Sequence, residues 1–393
     1  MIIRDIKIRE IFSHNLKETI EVEVEISKGK VRASVPIGTS RGVYEVEYLP
    51  TKEVIKNFLE IREKFRMKEF NNFEEVDNII LEYDKSERLN KIGGNLALAI
   101  SLAMLKAFAL HEDLEVFEFV SSYFNFKTKI PKPVCNVIGG GKHFGGSDFQ
   151  EFLLIGKTSN FKEEIKKIIS LYFKIAERLK KEDKSFNFGR NLESAWITNL
   201  STKKILEILR NFSKEYELYV GIDVAASSFY DASKKMYVYE KEGLELNRIE
   251  QLSYLYDLIK EYEIFYIEDP FYEEDFVSFA TLLSHFPQKL IVGDDLTTTN
   301  LERLKKASEL KSINGIIIKP NQIGLITKVA EVIKFAKKND VKIIFSHRSG
   351  ETEDPVISQL AVGFGSEYIK LGIAGERTIK INEILRIEEK ILG

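Results

Sequence analysis

The chain has 393 residues, 44% of them hydrophobic and 30% charged, the balance of a globular protein large enough for more than one domain. A net charge of −3 gives no global field to draw nucleic acid or an anionic membrane surface. One cysteine, Cys135, excludes an intrachain disulfide and a thiolate-based metal cluster.

The N-terminus, MIIRDIKIRE, alternates apolar and charged side chains as a strand does, unlike the apolar core of a secretory leader, and a cytoplasmic location is expected. Residues 19–26, TIEVEVEI, alternate again, and 30–37, KVRASVPI, follow a Lys-Gly turn, so the two segments should pair as an antiparallel hairpin. Helical patterns follow over 51–66, 72–84 and 95–111. The longest apolar run, 96–110, is interrupted by Ser101 and Lys106 and is too short to span a bilayer. Strands followed by helices make an α+β unit. PKP at 131–133 marks a boundary, dividing the chain into an N-terminal α+β domain, 1–128, and a second domain, 129–393.

In the second domain short apolar strands alternate with amphipathic helices. The strands are 219–223, 264–269, 290–295, 315–320, 342–348 and 368–372, with 133–138 and 151–155 as candidates for two more. Each of the six ends in a chemically potent group: Asp223, Glu268 with Asp269, Asp294 with Asp295, Lys319, His347 with Arg348, and Lys370. An open doubly wound sheet gathers its ligands near one switch point. A closed (β/α)8 barrel brings the carboxyl end of every strand to one mouth, so this pattern predicts the barrel.

Any single strand-end acid caps the next helix as readily as it binds a metal. Asp223, Glu268 and Asp294 close three successive strands, each inside buried apolar sequence, and three oxygen ligands without a thiolate favour Mg2+ over Zn2+. Lys319 and Lys370 end later strands. A desolvated lysine beside a cation loses preference for its ammonium form and can serve as a general base. Arg348 offers a bidentate fork for phosphate or carboxylate, with the Ser349 hydroxyl, the Gly350 N–H and His347 alongside. The acids that follow, Glu351, Glu353 and Asp354, are expected to cap the next helix.

GIDVAAS (221–227), IEDPF (267–271), GDDLTTTN (293–300), IIIKPNQIG (316–324), SHRSGETED (346–354) and ILRIEE (384–389), in this order, resemble the enolase family. So do RASVPIGTSRGVYEVE (32–47), like the family's serine-bearing mobile lid, IGGNLALAISLA (92–103) and CNVIGGGKHFGGSDFQEF (135–152). The resemblance implies an α+β cap domain on an enolase-type barrel, in dimers or higher assemblies, acting on a small phosphorylated carboxylic acid. Carried over by position, Asp223, Glu268 and Asp294 would hold one Mg2+, and a second would arrive with substrate at Ser40 on the lid. Lys319 would take the C2 proton with Lys370 near the substrate carboxylate. Arg348 and Ser349 would grip the phosphate, and His143, Glu151 and His347 would complete the pocket.

The chain departs from the family where a glutamate in a Gly-Asp-Glu-Gly-Gly loop helps the C3 hydroxyl leave. Here the stretch is FGRNLESAW (188–196): alignment on Gly189 puts Asn191 at that position, and Glu193 lies two residues on. An asparagine cannot give up a proton. SHNLKET (13–19) replaces the family's Asp-Ser-Arg-Gly-Asn-Pro-Thr, and Arg41 and Lys142 add charge. Three readings follow: an enolase converting 2-phosphoglycerate to phosphoenolpyruvate and water; a paralogue that enolises a different phosphorylated or dianionic acid; and a non-catalytic binding or assembly subunit.

Overall fold

The computed structural model describes residues 1–38, 42–141 and 146–393. In the N-terminal part, β1 (Asp5–Phe12), β2 (Glu18–Ile26) and β3 (Gly29–Ser34) form an antiparallel meander in the order β1-β2-β3. Along β2 the alternation buries Ile20, Val22, Val24 and Ile26. Four helices follow: α1 (Thr51–Ile61), α2 (Glu74–Tyr83), α3 (Gly94–His111) and α4 (Val116–Phe124). α3 is 18 residues long and apolar enough to cross a bilayer, but 83% of it is buried, largely against β2 and β3. Its uniform hydrophobicity is therefore that of a core helix.

The second part is a closed eight-stranded barrel. Its strands are β4 (Lys132–Gly139), β5 (Glu151–Ile155), β6 (Tyr219–Asp223), β7 (Tyr266–Glu268), β8 (Leu290–Gly293), β9 (Gly315–Ile318), β10 (Lys342–Ser346) and β11 (Tyr368–Gly372). β11 pairs with β4 to close the ring. Val134, Leu153, Ile155, Tyr266, Val292, Ile317 and Ile344 fill the interior as packed layers. Both candidate strands of the first two positions are present. The expected uniform alternation of strand and helix fails at the second strand. β5 runs antiparallel to β4 and β6, because the connection over 140–150 is too short for a crossover helix, and only a hairpin-like return is open to it.

The outer helices show why their sequences fold as they do. In Phe161–Glu182 the buried positions Ile165, Ile168, Tyr172, Ile175 and Leu179 recur every three or four residues. The Asn160 side chain accepts the Glu163 N–H and stops the first turn from fraying, worth ~1 kcal/mol. Ile326–Lys338 has no cap of its own. Its first N–H groups are received from the other domain: Ile326 N–H by the Ser101 hydroxyl, and Thr327 N–H and Oγ by Asp77 Oδ2 at 3.0 and 2.7 Å. Two helices of the N-terminal part thus complete a barrel helix.

Burial pushes the Asp77 carboxyl from 3.8 up to about 6, although Thr327 N–H opposes it. The folded protein then keeps a proton at a pH where the unfolded chain has lost it, so this group makes stability fall as pH rises from 3.8 to about 6. The difference corresponds to ~3 kcal/mol. Asp77→Asn has no such proton. In denaturant titrations, wild-type stability should drop relative to the variant by ~3 kcal/mol between about pH 4 and pH 7. A constant gap across that range would show that Asp77 does not titrate as its burial requires.

Candidate active site

Strand register decides what meets at the mouth. Glu151 on β5 is paired with Asp223 on β6, and Asp223 with Glu268 on β7, so three carboxylates stand side by side on adjacent strands. Asp294 follows β8 directly, and Lys319 follows β9. Lys370, from β11, reaches all three of the first group: 2.9 Å to Asp223 Oδ2, 2.8 Å to Glu268 Oε1 and 3.2 Å to Glu151 Oε2. Lys319 is ion-paired with Asp294. The Tyr266 hydroxyl donates to Glu268 Oε2 at 2.6 Å, Gln150 Nε2 to Asp223 Oδ2 at 3.3 Å, and Gln322 Nε2 to Asp294 Oδ1 at 3.3 Å.

Electrostatics follow from this crowding. Burial and the neighbouring Asp223 push Glu268 up to about 8, against the pull of Lys370. Burial and Glu193 raise Glu151 well above the carboxylate range. Burial would raise Asp294 too, but Lys319 outweighs it and holds that carboxyl below its ordinary value. Burial works against both lysines, yet Asp294 keeps Lys319 raised, and Asp223 with Glu151 keeps Lys370 well above its usual range. The expectation of a lysine freed of its proton by desolvation is therefore not met while Asp294 carries full charge.

Four carboxylates, Glu151, Asp223, Glu268 and Asp294, are answered by two ammonium groups. Repulsion among these acids is relieved here by protons on the raised carboxyls of Glu151 and Glu268, and a hard divalent cation on the same all-oxygen donor set would relieve it in their place. Oxygens of Asp269, Asp294 and Asp295 also come within 4.8 Å of one another. Asp269, however, spends both its oxygens on the N–H groups of Asp294 (3.0 Å) and Asp295 (2.6 Å), a staple that shapes the turn after β8. Burial and Asp294 push Asp295 up to about 7.

His347, Arg348 and Ser349 line the same cavity as Asp223, Asp294, Lys319 and Lys370. The Arg348 guanidinium pairs with Glu45 of the N-terminal part, 3.3 Å from Nη1 to Oε2, and not with the acids that follow it in sequence. Gly38 lies against it so closely that a Cβ would fall 1.9 Å from Nη2. Gly350 N–H, expected to be accessible, is given to Ile37 O at 2.8 Å. Asp354 caps the next helix by accepting Val356 N–H at 3.0 Å, as expected; Glu351 instead accepts Arg348 N–H at 2.8 Å and pairs with Lys380.

The loop that departs from the family pattern divides its labour. The Asn191 side chain turns into the loop, where Oδ1 accepts the N–H groups of Glu193 and Ala195, both at 2.9 Å. That staple directs Glu193 into the cavity, with Oε2 3.1 Å from Asn136 Nδ2 and 3.7 Å from His347 Nε2. Of the remaining expected residues, Ser40, Arg41, Lys142 and His143 lie outside the described residues. Sequence reasoning missed Glu45, Gln150, Gln322 and Asn136; all are within the quoted motifs, but amides and an acid in alternating polar sequence carry no signal of burial.

A closed barrel whose strand ends bring acids, two lysines and an arginine fork into one cavity is the framework of an enzyme that moves protons on a small anionic substrate. The chain belongs to the enolase family. The enolase N-terminal domain matches residues 3–120 and the enolase C-terminal TIM barrel domain residues 127–393. Enolase of Methanosphaera stadtmanae is 39% identical, covering 100% of this chain and 98% of its own length. Enolase of Pyrobaculum aerophilum is also 39% identical, over 98% of this chain and 96% of its own, and enolase of Picrophilus torridus 38%, over 99% of each. The family is one of carbon–oxygen lyases, the Mg2+-dependent phosphopyruvate hydratases of glycolysis, whose substrate is a small phosphorylated carboxylic acid.

Removing one partner of a buried ion cluster leaves the others uncompensated, at a cost of ~3–5 kcal/mol. Lys370→Ala should therefore lower unfolding free energy by about that amount in EDTA, measured by denaturant titration. A change within ~0.5 kcal/mol, the range of ordinary surface substitutions, would mean that the three acids do not depend on Lys370.

Proposed function

We propose that this chain dehydrates 2-phosphoglycerate to phosphoenolpyruvate, with Mg2+ held by Asp223, Glu268 and Asp294. The observation that supports it most is that Lys319, Glu193, Arg348 and Ser349 line one cavity together with Asp223 and Asp294. When bound, the cation would supply positive charge to the substrate carboxylate as electron density builds there. Engagement of Asp294 as a ligand would also withdraw the charge that keeps Lys319 protonated.

Lys319 Nζ then removes the proton from C2. The electron pair left on C2 forms the C2–C3 double bond as the C3–O bond breaks, and Glu193 gives its proton to the departing hydroxyl, which leaves as water. The raised carboxyl of Glu151 beside it helps to keep a proton within that pair. Arg348 and Ser349 hold the phosphate, and Lys370 faces the carboxylate end. Asn191 acts on the reaction only by directing Glu193. This arrangement favours dehydration over the enolisation of another acid, a reading that rested on Asn191 standing in the acid's place. Ser40 with a second Mg2+, His143, assembly into dimers or larger forms, the division at 128–129 and a cytoplasmic location belong to the same proposal by family likeness.

Two variants separate the steps. In deuterated buffer with Mg2+ and 2-phosphoglycerate, Glu193→Gln should lose dehydration by at least ~10²-fold while C2 exchange continues. Lys319→Ala should lose both. Dehydration undiminished in Glu193→Gln would remove the loop glutamate from the mechanism.

The metal assignment is tested separately. Glu268→Gln replaces a central anionic ligand by a neutral amide, so the rise in melting temperature that Mg2+ gives the wild type should be absent. An unchanged rise in the variant would place the cation elsewhere.

A further inference from the structure

Arg377 stands between the last barrel strand and the final helix, Thr378–Leu392, and is 0% exposed. Its Nε donates to His347 Nδ1 at 3.1 Å. Its Nη2 donates to the carbonyls of Arg348 (3.1 Å) and Ser349 (2.9 Å), and Nη1 meets the His14 ring and the Glu376 carboxylate. A guanidinium keeps all its protons in a protein, so Nε can only donate and His347 Nδ1 can only accept. The ring proton must then be on Nε2. That nitrogen is buried, has no hydrogen-bond partner among the described residues and lies 3.7 Å from Glu193 Oε2.

We infer that Arg377 is a positioning residue that fixes His347 as the neutral Nε2–H tautomer and aims that N–H into the cavity, beside Glu193, as a donor for the substrate. Burial, reinforced by Arg377 and Lys370 against the opposing pull of Glu193, keeps the ring well below the ordinary histidine range. The same guanidinium holds the backbone on which the Arg348 and Ser349 side chains are mounted. Its planar fork is what lets one side chain do both; a lysine presents one point of charge. The part of the inference that concerns substrate rests on the dehydration proposed above, while the tautomer can be read without substrate.

The test is nitrogen NMR on the full-length protein labelled with ¹⁵N-histidine, with the His347 signals identified by their loss in His347→Gln. In wild type, without substrate, Nδ1 should resonate as an unprotonated ring nitrogen and Nε2 as a protonated one. Arg377→Met has no donor for Nδ1 and should show a mixture of tautomers, with kcat for dehydration reduced at least ~10-fold, since a histidine held in the wrong tautomer fails as a catalytic partner. Arg377→Lys, which restores the charge and one donor, should recover the single tautomer in part. A protonated Nδ1 in wild type overturns the inference, as does a pure Nε2–H ring in Arg377→Met. Should Arg377→Met fail to fold, the wild-type spectrum and Arg377→Lys still decide. A correct tautomer in a protein that does not dehydrate 2-phosphoglycerate would refute the proposed reaction and leave the role of Arg377 standing.

Discussion

Everything at the barrel mouth depends on burying four carboxylates within reach of one another. Strand pairing forces Glu151, Asp223 and Glu268 abreast, and none can be rotated away without breaking register. Unpaired, such charges would cost several kcal/mol each. Lys370 is placed among the three, Lys319 on Asp294, and Tyr266, Gln150 and Gln322 donate hydrogen bonds to Glu268, Asp223 and Asp294. The two lysines do not relieve the crowding of four acids, so Glu151 and Glu268 hold protons that a divalent cation could displace.

The N-terminal part supplies what the barrel lacks on its positive side. Arg348 projects from the opposite sector of the mouth, and Glu45 is its carboxylate partner. Ile37 and Gly350 exchange backbone hydrogen bonds, and Gly38 has no side chain to keep it from the guanidinium. His14 lies between Leu192 O and Glu351 O, within hydrogen-bonding distance of each, where the glutamate loop and the arginine loop come together. With Asp77 and Ser101 capping a barrel helix, the two parts share polar contacts that neither could satisfy alone. The departure at 13–19 is thereby given a place: His14 is at a junction of the site, even though the family pattern it replaces is not kept.

The strand ends were legible because a charged residue at the end of a buried apolar run has few bland explanations, and six such runs in series have fewer. That pattern singles out Asp223, Glu268, Asp294, Lys319, Arg348 and Lys370; five of them line one cavity, and Glu268 is tied to it through Lys370. The reversed β5 was not legible, since a short apolar strand reads the same in either direction and only the length of its connection gives it away. Arg377 was not legible either. GERTIKIN, the start of an amphipathic helix, reads as a solvated face, yet Arg377 and Lys380 are both 0% exposed. Glu45 lies in alternating sequence that predicts an outward carboxylate. Glu45 is decided by a contact 303 residues away, and Arg377 and Lys380 by contacts to the arginine loop about 30 residues back, both beyond the reach of local pattern.

The loop at 188–196 shows why a motif is a poor ruler for a side chain carried on irregular backbone. Counting from Gly189 selects Asn191, and the count is right, but a strand or helix fixes direction by position whereas a loop fixes it by its staples. Asn191 accepts two N–H groups ahead of it, as asparagine does in turns. Ser194 takes φ 63°, and His14 meets the carbonyl of Leu192. These constraints leave Glu193 one direction, toward Asn136 and His347. Gly139 must be glycine for the turn to close, because a Cβ there would fall 2.0 Å from Asn191 Nδ2. A carboxylate two places along from the counted position thus reaches the cavity because the loop's supports direct it there. The chemistry is tied to where the carboxylate arrives, and the sequence records only the supports that bring it there.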